Sequence, residues 1–276
     1  MQVELIGCTG AGKSALLEAM IQACAAQGIP ASSGEDTLLQ HFGLGRVRLP
    51  LARSVLLDVL ALPYTLRSWK RNRAFLRFAW KVIKGLPDSV RAWDRLNIAR
   101  NVLKKVGLHE ALRRTVPTGR VVIVDEGTVH SAHYLFVHAA ADLSQQHITV
   151  FASLVPLPDA LVLVRASKEE LLARTLARGH KRIPAASPEL AQAFIGRAVE
   201  LFDLLSAMPM IRERVFTVDG EGHLSTPGGS FLAADRVRLA TILREAMGIS
   251  QRTGHQEAAA SAPGENMVVS HDAGTN

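Results

Sequence analysis

The sequence of 276 residues contains only two cysteines, Cys8 and Cys24. Two cysteines cannot build a disulfide framework, which predicts a reducing compartment. No window approaches 18 consecutive uncharged apolar residues, so a transmembrane helix is not expected. The start of the chain lacks a basic segment followed by an apolar run and a cleavage site, so a signal peptide is not expected either. These features predict a cytoplasmic protein.

A glycine-rich motif stands close to the start of the chain. Residues 5–14 read L-I-G-C-T-G-A-G-K-S, which is G-x-x-x-x-G-K-S with Lys13 and Ser14 at its end. A β-rich run at 2–6 precedes it and a helix-forming stretch at 14–27 follows it, which is the context that this motif needs. Backbone N–H groups of such a loop and the start of the helix make an anion cradle. The predicted nucleotide-binding residues are Gly7, Thr9, Gly10, Ala11, Gly12, Lys13, Ser14 and Ala15.

The motif also predicts different roles for its last two residues. Lys13 can reach the β- and γ-phosphates of a nucleotide as a point charge, and the Ser14 hydroxyl can bind Mg²⁺. The phosphates of a nucleotide and Mg²⁺ are therefore the expected ligands.

Apolar runs that alternate with helical patterns predict the fold class. The expected strands are 2–6, 29–33, 120–124, 160–164 and 215–218, and the expected helices are 14–27, parts of 52–114, 129–145, 167–179, 188–212 and 232–247. Segment 147–155 is compatible with helix or strand. Strands alternating with helices indicate an α/β fold in three layers, with a five-stranded parallel sheet and helices on both faces. One domain is expected over 1–249, and the polar segment 250–276 is expected to be a disordered tail.

Two adjacent carboxylates follow the strand at 120–124. Asp125 and Glu126 would lie at the carboxyl end of a buried strand, where ligands of open α/β sheets bind. One can hold Mg²⁺ together with Ser14, and the other can orient or deprotonate an attacking hydroxyl. The alternative is that one of them caps a helix that begins near Thr128.

A cation-rich segment follows the strand at 160–164. Ser167 and Glu170 have the spacing of a capping box, and Arg174 and Arg178 share one face of the predicted helix. Arg182 lies beyond the glycine that ends this helix. The segment 174–185 is predicted to be an arginine lid that stabilises the charge of a transferring phosphoryl group. The alternative is a solvated basic helix end, which the helix dipole also favours.

The order of these parts resembles the thymidylate kinase and nucleotide-kinase group of phosphate-loop proteins. The segment P-L-P-D-A-L-V-L-V-R-A-S-K-E-E-L-L-A-R-T-L-A-R-G-H-K-R is similar to that group's strand, helix and lid. The resemblance implies transfer of the γ-phosphate of ATP to an acceptor. It implies that Arg174 and Arg178 border the adenine and the phosphates and that Arg182 reaches across the transferring group. The loop after 215–218 would pack on the adenine.

Two departures from that group concern the acceptor. Thr9 stands where the phosphate loop of thymidylate kinases usually carries an acid, and Glu126 stands where they usually carry an arginine. The arginine that would grip a nucleotide acceptor is therefore missing from its expected place. The sequence predicts the donor half of the site and leaves the acceptor open.

The segment 51–116 replaces the usual acceptor region with a basic helical insert. Residues 67–114 contain 14 Lys/Arg and 3 Asp/Glu, and all three tryptophans lie between 69 and 93. One helix face is predicted from Leu66, Trp69, Leu76, Trp80 and Ile83, with Arg67, Lys70, Arg71, Lys81 and Lys84 projecting around it. This face can dock on the core, the cations can bind an anionic acceptor, or residues 67–105 can lie on an anionic membrane surface.

The function predicted from these motifs is a kinase that transfers the γ-phosphate of ATP-Mg²⁺ to a small anionic or hydroxyl-bearing acceptor. The predicted catalytic residues are Lys13, Asp125, Glu126, Arg174, Arg178 and Arg182, and the predicted metal-binding residues are Ser14 and Asp125. The alternative is an ATPase or nucleotide-dependent switch whose basic insert binds a partner. Nucleic acid is not expected, since no nucleic-acid module is recognisable, and the resemblance leaves a homodimer open.

Overall fold

The structure is a computed structural model that describes residues 1–138, 143–178, 187–219, 223–226 and 237–246. Its strands are β1 (Gln2–Ile6), β2 (Ala31–Ser33), β3 (Val121–Asp125), β4 (Ala160–Val164), β5 (Val215–Val218) and β6 (Leu224–Ser225). Its helices are α1 (Lys13–Ala26), α2 (Gly34–His41), α3 (Pro50–Arg67), α4 (Trp69–Lys84), α5 (Ala92–Thr115), α6 (Ser131–Phe136), α7 (Gln145–Leu154), α8 (Lys168–Arg178), α9 (Pro188–Ala207) and α10 (Pro209–Arg212). A further helical segment covers 237–246.

The strands form one sheet in the order β2-β3-β1-β4-β5-β6. The first five are parallel, as predicted, and helices pack on both sides of them. The prediction of five strands was wrong, because β6 adds a sixth strand that runs antiparallel to β5. With two residues, β6 is too short to produce the alternating pattern from which a strand is predicted.

The centre of the sheet is buried on both faces. Every residue of β4 is buried, and so are Val121, Val122 and Ile123 of β3. Continuous apolar runs are the pattern expected of parallel strands that are covered by helices on both sides. This burial fixes the register that brings the ends of β1, β3 and β4 to one edge.

The segment before β4 contains the largest differences from the predicted helices. The predicted helix at 129–145 is limited in the described residues to α6, because Val137 takes an extended conformation, and 139–142 lie outside the description. The undecided segment 147–155 is helical as α7. The Ser144 side chain caps α7 by accepting the N–H of His147, and Ile148 faces the core.

The insert consists of α3, α4 and α5. Helices α3 and α5 pack so closely that a Cβ on Gly107 would lie 2.2 Å from the carbonyl oxygen of Ala61. The Thr65 hydroxyl donates to the carbonyl of Leu103 at 3.0 Å across the same contact. Helix α4 docks on the core, where the ring of Phe75 lies 5.6 Å from that of Phe151.

The predicted apolar face of the insert was wrong in part. Leu76 and Ile83 are buried, whereas Leu66, Trp69 and Trp80 are exposed. The buried row of α4 is centred on Phe75, Ala79 and Asn72, so the border between core and solvent runs through the predicted face. Hydrophobicity alone does not locate that border.

Besides residues 139–142, four predicted features lie wholly or partly outside the described residues. They are the tail 250–276, the part of the lid beyond Arg178, which includes Arg182, residues 220–222 of the loop after β5, and residues 232–236 and 247 of the predicted helix 232–247. Among the residues that are described, none of the helices has both the length and the apolar character needed to cross a bilayer.

Candidate active site

The phosphate loop connects β1 to α1 with three glycines in left-handed backbone conformations. Gly7, Gly10 and Gly12 have φ angles of 139°, 84° and 93°. A Cβ on Gly7 would also lie 2.4 Å from the carbonyl oxygen of Val164 in β4. Helix α1 has no side-chain cap and no acidic residue in its first turn. Its first N–H groups and its positive end are therefore available to an anion.

The side chain of Lys13 is buried and held from two sides. Its ammonium donates to the carbonyl oxygens of Gly7 and Cys8, both at 3.1 Å. It also lies 3.6 Å from Oε1 of Glu126. The cation thus stands inside the loop, with a carboxylate from the neighbouring strand end beside it.

Ser14 and Asp125 come together at the carboxyl edge of the sheet. The Ser14 hydroxyl donates a 3.0 Å hydrogen bond to Oδ2 of Asp125. Pairing of β1 with β3 places Asp125 opposite Leu5, two residues before the loop. Burial and the neighbouring charge of Glu126 raise the pKa of Asp125. A hydroxyl and a carboxylate in contact are oxygen donors of the kind that Mg²⁺ prefers, so this pair fits a magnesium site.

Glu126 is surrounded by cations and donors. His130 Nε2 lies 3.4 Å from its Oε1, and the Tyr134 hydroxyl donates to its Oε2 at 2.8 Å. Burial acts to raise the pKa of Glu126, but the nearby charges of His130, Lys105 and Lys13 outweigh it and hold the pKa far below its usual value. Glu126 is therefore ionised at neutral pH.

The backbone at Glu126 is strained. Its φ of 61° is the one left-handed value of a non-glycine residue in the described part of the chain. A Cβ on the next residue, Gly127, would lie 2.6 Å from the Glu4 carboxylate, so a larger residue there would displace that side chain. Such strain persists where surrounding contacts hold it, and it is common at functional sites.

A buried carboxylate and a half-buried lysine lie behind the site, and the sequence analysis missed both. Glu4 of β1 accepts the backbone N–H groups of His130 at 2.8 Å and Val129 at 3.2 Å. Burial raises the pKa of Glu4 to about 7. Lys105 of α5 donates to the carbonyl oxygen of Glu126, and burial lowers its pKa. A glutamate inside the otherwise apolar run V-E-L-I is the signal that could have revealed Glu4.

The alternative role predicted for Asp125 or Glu126, as a cap of the next helix, is not observed. Glu4 takes the N–H groups of residues 129 and 130 instead. Both carboxylates of the Asp125–Glu126 pair point towards the phosphate loop through Ser14 and Lys13.

The described part of the lid lies against the phosphate loop. Ser167 caps α8 by accepting the N–H of Glu170 at 3.2 Å, as the capping box predicts. Arg174 donates to the carbonyl oxygen of Gly10 at 3.1 Å and pairs with Glu170 at 3.1 Å. Arg178 is exposed one turn further along α8. Thr9 lies in the loop itself, and Ala15 lies in the first turn of α1 directly after it.

A cavity of about 430 Å³ opens beside the two carboxylates. Its walls come from the start of α2, the middle of α5 and the end of β3, and they include Glu35, Asn101, Lys104, Lys105, Asp125 and Glu126. The cations that reach it therefore belong to α5. Those of α4, which the sequence analysis proposed for the acceptor, do not line it.

Comparisons with known proteins give similarities at the level of structure. No protein-family model matches the chain, and no curated protein matches it in sequence. A deoxyadenosine kinase from M. mycoides with dCMP and dCDP bound is similar, with 12% identity, a TM-score of 0.41, and coverage of 93% of this chain and 100% of that one. The same enzyme with dATP bound has 13% identity, a TM-score of 0.39, and coverage of 87% and 97%.

A gluconokinase from Sinorhizobium meliloti is similar with 17% identity, a TM-score of 0.32, and coverage of 92% of this chain and 96% of that one. The identities and TM-scores of these matches are low, so neither a family nor a residue role is taken from them.

Proposed function

We propose that the protein is a kinase that transfers the γ-phosphate of ATP to a small acceptor in the cavity beside Asp125 and Glu126. The observation that carries this proposal is the position of that cavity. It shares the two carboxylates with the phosphate loop, through the Ser14–Asp125 hydrogen bond and the Lys13–Glu126 ion pair. A donor phosphate in the loop and an acceptor in the cavity would face each other across the sheet edge.

Each residue of the donor side has a separate task. The loop N–H groups and Lys13 bind the phosphates, and Ser14 and Asp125 hold Mg²⁺. The metal, when bound, neutralises charge that develops between the β- and γ-phosphates. Arg174, beside Gly10, stabilises charge on the transferring group, and Arg178 extends this cationic edge along α8. Arg182, which lies outside the described residues, has the role that the sequence resemblance implies for it.

Glu126 orients the acceptor hydroxyl. Its low pKa keeps it ionised, so it can accept a hydrogen bond from the hydroxyl at neutral pH. A strong base is not needed, because phosphoryl transfer has a loose transition state in which positioning and electrostatics supply most of the catalysis. Lys105 and His130 hold Glu126 in place from behind.

The cavity walls favour a polar acceptor with hydroxyl or anionic groups. Asn101 offers an amide, and Lys104 offers an ammonium that is paired loosely with Asp58 at 3.7 Å. Leu108 and Leu112 contribute an apolar wall on the same helix. A nucleoside, a nucleotide or a sugar combines these features.

A substitution in the cavity wall tests whether the cavity binds the acceptor. Asn101→Leu should raise the KM for the acceptor or abolish transfer, while the affinity for ATP stays unchanged. Asn97→Leu, one turn earlier on α5 and outside the cavity lining, is the matched control. Transfer that Asn101→Leu leaves unaffected would remove the cavity from the proposal.

The second candidate is a nucleotide hydrolase or switch, which the exposed cations of α4 favour because a partner could cover them. Under that function, ATP is hydrolysed without an acceptor and an anionic partner stimulates the hydrolysis. Transfer of a labelled γ-phosphate to an acceptor separates the two functions.

A further inference from the structure

The outward face of α3 is apolar along its whole length. Leu51, Val55, Val59, Leu62 and Leu66 follow each other at intervals of three or four residues, so they form one stripe on the helix. All five are exposed, from 52% for Leu62 to 84% for Leu51. Single exposed leucines are ordinary, but a continuous row of them marks an interaction surface. These five residues are called the apolar stripe below.

No charge interrupts the apolar stripe. The charged residues of α3 are Arg53, Asp58 and Arg67. Arg53 is paired with Asp36, and Asp58 is paired with Arg100 of α5. Arg67 stands at the last position of the helix. The solvent side of α3 therefore lacks the charges that normally solvate an exposed helix face.

A second row of exposed residues follows on α4, and its side chains differ in character from those of the apolar stripe. The helices are joined by the single residue Ser68, whose N–H donates to Tyr64 at 3.0 Å and whose carbonyl accepts from residue 72 at 3.1 Å. Trp69 follows Leu66 by three residues. Trp69, Arg73, Arg77, Trp80 and Lys84 then repeat the same intervals, and all are exposed. These five residues are called the cationic stripe below.

The cations of α4 are mostly free of carboxylates. Helix α4 contains no Asp or Glu. Arg71 pairs with Glu110 at 3.2 Å, but Lys70, Arg73 and Arg77 have no ion-pair partner within the part of the chain that the structure describes. The cationic stripe thus presents uncompensated positive charge together with two tryptophans.

The edge of α5 adds more apolar surface to the apolar stripe. Arg100 reaches across to Asp58 of α3, so the residues one turn on either side of it border that helix. They are Leu96 and Leu103, and both are exposed. Trp93 follows on the same side of α5 with 69% of its surface exposed. All three tryptophans of the chain are therefore exposed on the insert.

We infer that the two stripes form a docking surface for an anionic lipid bilayer. Aliphatic side chains on one part of the surface can enter the boundary between headgroups and acyl chains. Tryptophans are favoured at headgroup level, and each nearby Lys or Arg contributes attraction to anionic lipid. The charge of the surface is complementary to such a membrane, and the protein would lie on the bilayer without crossing it.

A second copy of the chain fits the surface less well. A two-fold contact is self-complementary, so covering the cationic stripe with its own copy would bring like charges together. A two-fold contact limited to the apolar stripe would leave Trp80 and its neighbouring cations uncovered. A bilayer accommodates both stripes at once, and this inference does not depend on which reaction the site performs.

Intrinsic tryptophan fluorescence measures the binding of the insert to vesicles directly, because every tryptophan of the chain lies on the insert. The full chain is titrated with vesicles of phosphatidylcholine alone and of phosphatidylcholine mixed with phosphatidylglycerol, and binding is confirmed by co-sedimentation. Binding with a blue shift of the emission is expected for the mixed vesicles. Binding to phosphatidylcholine alone should be at least about fivefold weaker.

Two charge-introducing variants and two matched controls locate the surface. Val59→Glu in the apolar stripe and Arg77→Glu in the cationic stripe should each weaken binding at least about fivefold. Val237→Glu places the same charge at a residue of similar exposure, 66% against 61%, in the helical segment 237–246. Arg212→Glu reverses an exposed cation of α10. Both controls should bind like the unmodified chain, and ATP binding should be equal in all four variants.

Three results would overturn the inference. The first is the absence of binding to the mixed vesicles. The second is binding that Val59→Glu and Arg77→Glu leave unchanged, or that the controls weaken as much. The third is a dimer, detected by sedimentation, that does not bind vesicles and that Val59→Glu dissociates. This result would assign the apolar stripe to contact with a second copy of the chain.

Discussion

The ammonium of Lys13 lies 3.6 Å from the Oε1 atom of Glu126. The cation of the phosphate loop is therefore paired with a carboxylate from the end of β3 before any phosphate competes for it. Glu126 is held there with a φ of 61°, a conformation that costs a non-glycine residue about 1 kcal/mol or more. This ion pair and the Ser14–Asp125 hydrogen bond connect the donor half and the acceptor half of the proposed site.

Replacement of Glu126 by glutamine should strengthen ATP binding in the absence of Mg²⁺. The phosphates would no longer compete with a carboxylate for Lys13, and a partly exposed ion pair of this kind corresponds to about two- to fivefold in affinity. Turnover with the acceptor should fall, since the acceptor hydroxyl loses its charged hydrogen-bond partner. Calorimetric titration measures the affinity, and Glu189→Gln on the exposed start of α9 is the control. Weaker ATP binding by Glu126→Gln would contradict the proposal that Glu126 and the phosphates compete for Lys13.

Replacement of Lys13 by alanine should lower the affinity for ATP at least about tenfold, because a charge-assisted contact to the phosphates is lost. Lys70→Ala removes an exposed lysine of α4 and should bind ATP normally. Thermal denaturation with and without ATP shows both the binding and the integrity of the fold. An unchanged ATP-dependent shift in Lys13→Ala would remove the basis of both proposed functions.

The Ser14–Asp125 pair should control the response to magnesium. Asp125→Asn and Ser14→Ala should each raise the Mg²⁺ concentration for half-maximal turnover about tenfold or more, while metal-free ATP binding persists. Asp94→Asn, an exposed acid at the start of α5, is the control. The idea fails if both variants keep the magnesium dependence of the unmodified chain.

Glu4 should make the protein less stable as the pH rises through weakly acidic values. Its pKa in the folded chain is about 7, above the ordinary value of 4.5, with burial as the main cause and the charge of Lys105 opposing it. Between these values the folded chain binds more protons than the unfolded chain, so its stability declines with pH and levels off above pH 7. The decline from this group is about 3 kcal/mol.

Denaturant unfolding between about pH 5 and about pH 8 measures this dependence. Glu4→Gln should flatten the decline, whereas Glu189→Gln should leave it unchanged. A stability that rises over this range in the unmodified chain, with no difference in Glu4→Gln, would mean that Glu4 is ionised throughout.

The placement of the residues in the donor half of the proposed site could be predicted from the sequence because they are close together in the chain or follow recognisable strands. Gly7 to Ser14 form one continuous motif, and Asp125 ends a strand whose apolar run is unmistakable. Burial of β3 and β4 on both faces fixes their register, so the meeting of Ser14 with Asp125 follows from the parallel sheet.

The acceptor half could not be predicted in the same way. Lys105, Glu4 and His130 come from three separate elements, and only tertiary packing brings them around Glu126. The cavity is lined by α5, yet the sequence drew attention to α4, where cations are denser. The exposed stripe of α3 was also missed, because an apolar helix row predicts burial unless the structure shows which side faces the core.

Transfer of a labelled γ-phosphate tests the central claim most directly. The protein is incubated with ATP labelled in the γ-phosphate, Mg²⁺ and a panel of nucleosides, nucleoside monophosphates and sugars, and the products are separated. The kinase proposal predicts label on one class of acceptor, with little inorganic phosphate when no acceptor is present. Label found only in inorganic phosphate across the whole panel, at a rate that Lys13→Ala abolishes, would contradict the kinase and identify a hydrolase.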